Sequence, residues 1–194
     1  MTTYTPPIED MQFILEDLLG FAHDDLDHET VMAILEEAGK LAADVLAPLN
    51  KVGDEYGAKL ENGAVATAPG FKEAYGEYSQ GGWNAVPFPE NYGGQSLPWA
   101  LAFPVQEMWQ AANMSFGLCP LLNQGAIEAI HAHGSQEQKD EYLAQLISGE
   151  WTGTMNLTEP QAGSDLGLIR TKAEKQGDGT YKICLLYTSD AADE

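Results

Sequence analysis

Lysine and arginine are scarce in this chain: nine of them face thirty aspartates and glutamates, a formal net charge of −21. Phosphate backbones are bound by basic side chains that displace counterions, so a nucleic-acid partner is excluded, and an anionic membrane surface with it. The acidic excess reads as solubility through self-repulsion and names no ligand. Cysteine is nearly absent. Cys119 and Cys184 have neither metal-type spacing nor a partner motif, which excludes a disulfide framework. His131 and His133 stand two residues apart and do not share a helix face, so no metal site is expected. Long apolar runs are missing too: none approaches the roughly 20 residues needed to span a bilayer. The opening Met1-Thr2-Thr3-Tyr4-Thr5-Pro6-Pro7 lacks the basic-then-apolar pattern of a signal peptide. A cytoplasmic protein with no membrane partner is the expectation.

What is present is helical periodicity. Ile8, Met11, Leu15, Leu18 and Leu19 recur at three- and four-residue steps behind Pro6-Pro7, a suitable helix start. Asp27 is a good N-cap for the clearest helix. Its stripe runs through Val31, Ile34, Leu35, Ala38, Leu41, Ala42, Val45, Leu46 and Leu49, with Pro48 predicting a bent or frayed end. Residues 51–69, with Gly53, Gly57, Asn62 and Gly63, read as a loop. A short helix carries Phe71, Ala74, Tyr75 and Tyr78 and closes at Gly81-Gly82. Two more helices are expected over about 97–113 and 115–133. Ser135 and Gln138 form a capping box that opens a helix with Tyr142, Leu143, Leu146 and Ile147, ending at Ser148-Gly149. Trp83, Trp99 and Trp109 read as packing residues.

At Trp151 the pattern changes. Residues 151–158 alternate and are rich in threonine, as a strand would be. The turn-rich Glu159-Pro160-Gln161-Ala162-Gly163-Ser164-Asp165 follows, then plausible strands over 168–174 and 181–183 around Gly177-Asp178-Gly179. The expected organisation is an all-helical domain over 1–150 and the start of a β domain over 151–183.

Met155-Asn156-Leu157-Thr158-Glu159-Pro160-Gln161-Ala162-Gly163-Ser164-Asp165 resembles the signature of the acyl-CoA dehydrogenases. Three further stretches resemble that family in order and spacing: Pro89-Glu90-Asn91-Tyr92-Gly93-Gly94, the segment from His133 to Trp151, and Arg170-Thr171-Lys172-Ala173. Ala47-Pro48-Leu49-Asn50, Gly81-Gly82-Trp83-Asn84 and Met108-Trp109-Gln110-Ala111-Ala112-Asn113-Met114 are similar to the long bacterial 3-methylmercaptopropionyl-CoA dehydrogenase-like group within it. Two positions depart from the common signature, Asn156 and Leu168, where small residues are usual.

The resemblance implies a mainly α chain: the family's N-terminal helical domain, followed by the truncated start of its middle β-barrel domain. It implies FAD as cofactor and an acyl-CoA substrate, with α,β-dehydrogenation as the reaction and electron-transfer flavoprotein or a similar acceptor as partner. A homo-oligomer is the family habit. By family match Met155, Asn156, Leu157, Thr158, Gly163 and Ser164 line the flavin. The Leu157 and Thr158 N–H groups and the Thr158 hydroxyl would face the isoalloxazine, where negative charge develops. Gly163 would let the backbone approach closely. Ser164 would bond the pyrophosphate and lie beside the substrate's pantetheine arm. Asp165 would stabilise the turn. The catalytic Glu of the family lies in a C-terminal helical domain beyond this sequence, so the fragment itself is expected to be inactive. An acyl-CoA oxidase or flavin monooxygenase of the same fold, and a non-enzymatic helical interaction module, are the competing readings.

Residues 184–194, Cys184 to Glu194, do not continue the family pattern. They resemble the translation of a transposon-based sequencing adapter. Our hypothesis is that the reading frame ran off its insert there. Sequencing the genomic locus past Ile183 is expected to give different codons; the same eleven codons followed by a stop would overturn this.

Overall fold

The computed structural model describes residues 3–24 and 26–184; the expectation for the tail lies, from 185 onward, outside the described residues. Two compact units are present, Met1–Thr154 and Met155–Glu194.

The first unit is helical. Helix α1 (Ile8–Phe13) runs into a π turn, Ile14–Leu18, with Leu19 N–H donating to the Ile14 carbonyl five residues back. Met11 and Leu15 are buried, but Leu18 and Leu19 are 67% and 63% exposed. The wide turn inserts one residue into the helical phase. The spacing that should have kept both leucines on the apolar stripe therefore turns them to solvent.

Helix α2 (His28–Lys40) starts where Asp27 predicts: its carboxylate accepts the Thr30 N–H at 2.8 Å. The expected stripe is realised, with Val31, Leu35, Ala38, Ala42 and Leu46 buried and Ile34, Leu41, Val45 and Leu49 packed against them. The helix does not fray at Pro48. It passes through a π segment (Leu41–Leu46) into α3 (Ala47–Tyr56). Widening just before the proline gives its ring room against the carbonyl one turn back, the usual source of the break.

The predicted loop over 51–69 needs a second correction. Beyond α3, β1 (Lys59–Glu61) and β2 (Ala64–Ala66) form an antiparallel hairpin in the register Lys59↔Ala66, Leu60↔Val65, Glu61↔Ala64. Asn62 and Gly63 both take positive φ, 51° and 80°, as a tight two-residue hairpin turn requires. Every strand residue is exposed, so no burial alternation announced it.

Helices α4 (Phe71–Gln80), α5 (Trp99–Ala112) and α6 (Met114–His133) complete the core. Pro104 and Pro120 sit inside α5 and α6 without ending them. Each costs helix stability of about 3 kcal/mol, which burial of Leu101, Val105, Met108, Trp109 and Phe116 outweighs. Tyr78 is fully buried, edge-on to Trp109 (5.8 Å between centroids, 86°) and Phe116 (5.7 Å, 77°). Trp83 packs edge-on against Trp109, and Trp99 against Phe88, so these rings act as packing groups.

Helix α7 (Gln136–Ser148) opens with the predicted box: Ser135 Oγ accepts the Gln138 N–H at 3.3 Å, and Gln138 Oε1 accepts the Ser135 N–H at 2.9 Å. Gly149 takes φ 79° just past its end. Near the end of α7 the buried Leu146 and Ile147 residues carry carbonyls beyond the regular helical ladder, with only the Gly149 N–H reaching Leu146 from the chain end (3.2 Å), so they take donors from elsewhere. Two buried asparagines supply them. Asn84 Nδ2 donates to the carbonyls of Leu146 (2.7 Å) and Ile147 (3.0 Å), and Asn123 Nδ2 donates to Leu146 (2.9 Å) and to Asn84 Oδ1 (3.3 Å). Asn123 Oδ1 then accepts the Gly153 N–H at 2.9 Å. At Gly153 a Cβ would come within 2.3 Å of Ala126 Cβ, so only glycine fits.

Residues 151–158, expected as a strand, form none; their backbone enters no ladder among the described residues. Alternation marks a strand only where a neighbouring strand takes up the backbone groups. In the second unit a short 3₁₀ turn, Leu166–Leu168, replaces the start of the strand predicted over 168–174. What remains is β3 (Lys172–Lys175), paired antiparallel with β4 (Tyr181–Cys184) from Lys172↔Cys184 to Lys175↔Tyr181.

Truncating Asn84 leaves the buried Ile147 carbonyl without its side-chain donor, and truncating Asn123 leaves the Gly153 N–H without its acceptor, while the Leu146 carbonyl keeps the other carboxamide and the Gly149 N–H. Asn84→Ala and Asn123→Ala should each destabilise the helical unit by about 1–3 kcal/mol in urea unfolding of the full-length gene product; a change within about 0.5 kcal/mol, as at a neutral surface position, would contradict the assignment.

Candidate functional site

The residues expected to carry a site, Met155, Asn156, Leu157, Thr158, Gly163 and Ser164, all fall in the second unit and are all exposed. Met155 is 53% and Leu157 40% exposed, high for apolar side chains that the chain itself could have buried. Among the described residues, the backbone N–H groups of Asn156, Leu157 and Thr158 and the hydroxyls of Thr158 and Ser164 form no hydrogen bond. They are a set of neutral donors left unused by the fold.

Between the two halves of this set lies a tight turn. Glu159 N–H donates to the Ala162 carbonyl at 3.1 Å, and Ala162 N–H returns to the Glu159 carbonyl at 3.0 Å. Ala162 is fully buried and Glu159 is 6% exposed. The Glu159 carboxylate is where the unit's polar contacts converge. Oε1 accepts from Thr171 N–H (2.9 Å) and the Thr171 hydroxyl (2.5 Å); Oε2 accepts from Arg170 N–H (3.0 Å) and from Gln161 Nε2. Such donors favour the ionised form. The Thr171 hydroxyl first, then the Arg170 and Thr171 N–H groups and the Gln161 amide, lower the pKa of Glu159 to about 2.

The turn continues through Asp165, whose Oδ1 accepts the Gly167 N–H at 3.0 Å and caps the 3₁₀ turn, the structural role expected of it. Gly163 is not demanded by this backbone. Its φ is not positive, and a Cβ there would meet nothing within 4 Å. The space beside it is open to a ligand. Asn156 and Leu168, the two departures from the expected pattern, are also exposed and so do not disturb packing.

The donors present suit FAD. Neutral N–H and O–H groups match the carbonyl-bearing edge of a flavin and the oxygens of a pyrophosphate, and the room beside Gly163 leaves backbone approachable. Sequence reasoning did not find Glu159. Its only signal was an acid at a turn beside Pro160, and its partners, Arg170 and Thr171, lie eleven and twelve residues away.

The sequence pattern of the acyl-CoA dehydrogenase N-terminal domain matches residues 28–150. The 3-methylmercaptopropionyl-CoA dehydrogenase of Ruegeria pomeroyi is 44% identical over 188 residues, 93% of this chain and 32% of that protein. A butyryl-CoA dehydrogenase of Syntrophomonas wolfei is 35% identical over 175 residues, 86% of this chain and 28% of that protein. Among solved structures, the acyl-CoA dehydrogenase of Bacillus anthracis complexed with FAD shares the fold. Its TM-score is 0.66 at 23% identity, over 84% of this chain and 26% of that one. The chain spans about a third of the length of the curated relatives it matches.

Proposed function

This chain belongs to the acyl-CoA dehydrogenase family, and we propose on that premise that the full-length protein carries out FAD-dependent α,β-dehydrogenation of an acyl-CoA thioester. The observation that carries the reading is the set of unused donors flanking the Glu159–Ala162 turn, in a chain so similar to a named acyl-CoA dehydrogenase. The substrate we assign is 3-methylmercaptopropionyl-CoA, the acyl-CoA in the name of the Ruegeria pomeroyi relative.

When bound, FAD would supply the acceptor for the hydride that leaves the β carbon. The chain's own residues bind and orient. The Leu157 and Thr158 N–H groups and the Thr158 hydroxyl would hold the pyrimidine edge, where negative charge develops. Met155 and Asn156 flank them. Ser164 would donate to the pyrophosphate and lie beside the pantetheine arm, and Gly163 would give both ligands close approach to backbone. None of these groups is a base; removal of the α proton falls to a carboxylate in the family's C-terminal helical domain. The catalytic unit is cytoplasmic and homo-oligomeric, and passes electrons to electron-transfer flavoprotein or a similar acceptor. Among the described residues no helix is long and apolar enough to cross a membrane.

The test is an anaerobic titration of the purified full-length gene product. It should carry FAD, and 3-methylmercaptopropionyl-CoA should bleach the oxidised-flavin band to completion near one equivalent. Bleaching by butyryl-CoA alone would move the substrate assignment. Absence of flavin, or a band that no acyl thioester bleaches, would overturn the function.

A further inference from the structure

Glu159 lies along the chain between the two groups of proposed flavin donors, and its carboxylate hydrogen-bonds to neither. Thr158 immediately precedes it, and Gly163-Ser164 follow the turn it belongs to. Its two oxygens take four hydrogen bonds, from Gln161 inside the turn and from Arg170 and Thr171 at the threshold of β3. One side chain therefore staples the turn to the hairpin behind it. The Glu159–Ala162 backbone pair closes the turn on itself, and the Gln161 amide also donates to the Leu168 carbonyl at 3.4 Å, but among the described residues the Asn156, Leu157 and Thr158 N–H groups and the Thr158 and Ser164 hydroxyls bond nothing.

We infer that Glu159 is a positioning residue, which fixes the spacing of the Thr158 donors from Ser164 so that one flavin can be held by both at once. This rests on the flavin reading above. The chemistry requires a carboxylate. Both oxygens accept, and each faces N–H or O–H donors. A carboxamide has one accepting oxygen and one donating –NH₂. Glu159→Gln therefore turns a donor toward either the Thr171 pair or the Arg170 and Gln161 pair, and one side of the staple opens. Thr171→Val removes the hydroxyl contact alone, and Thr171→Ser keeps it.

The experiment uses the full-length gene product, with two readouts. Amide exchange at Arg170 and Thr171 reports the staple itself. The dissociation constant for FAD, with the visible spectrum of the bound flavin, reports the spacing. Glu159→Gln should accelerate exchange at both amides and weaken FAD binding by about tenfold or more, the loss expected for a hydrogen bond to a charged group. Thr171→Val should weaken FAD binding in the same direction, and Thr171→Ser should return it to within about threefold of the parent. The Thr171 pair keeps the test open should Glu159→Gln fail to fold. Faster exchange with FAD affinity and spectrum unchanged would reduce Glu159 to a structural group and overturn the inference while leaving the flavin reading intact. Unchanged exchange would overturn the staple. Equal loss in Thr171→Val and Thr171→Ser would overturn the role of the hydroxyl contact. A parent protein that binds no FAD would overturn the flavin reading, and this inference with it.

Discussion

The buried end of α7 sets the terms for the helical unit. Its last carbonyls cannot reach water, and an unpaired buried acceptor costs as much as several ordinary contacts provide. The carboxamides of Asn84 and Asn123 meet that demand from two other parts of the chain, and they are bonded to one another as well. The short 3₁₀ turn at Trp83–Ala85 and helix α6 are thereby tied to α7 through polar groups as well as through the apolar cluster of Phe88, Ile127, Leu143 and Ile147. The same Asn123 holds Gly153, so the constraint reaches the last residues of the helical unit.

In the second unit a single carboxylate plays a comparable part. Few of its apolar residues are buried, Ala162 among them, and both strands of its hairpin expose their described side chains. With so little area removed from water, hydrophobic burial contributes little. Order in the turn comes from the Glu159–Ala162 backbone pair and from the hydrogen bonds that converge on the Glu159 carboxylate. The division suits a binding segment. Glu159, which holds the backbone, is buried and fully bonded, while the donors at Leu157, Thr158 and Ser164 are exposed and, among the described residues, unbonded.

Much of the helical unit is legible in the sequence, because periodicity and caps are local signals. Asp27, the Ser135–Gln138 box and the stripe from Val31 to Leu49 each declare themselves within a few turns. The failures have physical causes. Two π turns break the phase of that periodicity: one turns Leu18 and Leu19 outward, and the other lets the helix survive Pro48. The Asn62-Gly63 hairpin was hidden because its strands are short and wholly exposed. The alternation in residues 151–158 is a true property of the sequence, but alternation marks a strand only beside a partner. Of the proposed site, the donor-bearing residues are expected from the family pattern, whereas the hydrogen-bond roles of Asn84, Asn123 and Glu159 have no local signal. Their partners lie between two and 63 residues away, and no spacing rule connects them.

The central proposal is that the Leu157 and Thr158 backbone donors, unbonded among the described residues, serve a flavin. Hydrogen exchange of the full-length gene product, with FAD removed and then restored, tests it most directly. The account predicts that the Asn156, Leu157 and Thr158 amides exchange freely without FAD and that Leu157 and Thr158 become protected when it returns, while Gly153 stays protected throughout. Amides at 157 and 158 that exchange equally fast in both states would contradict it.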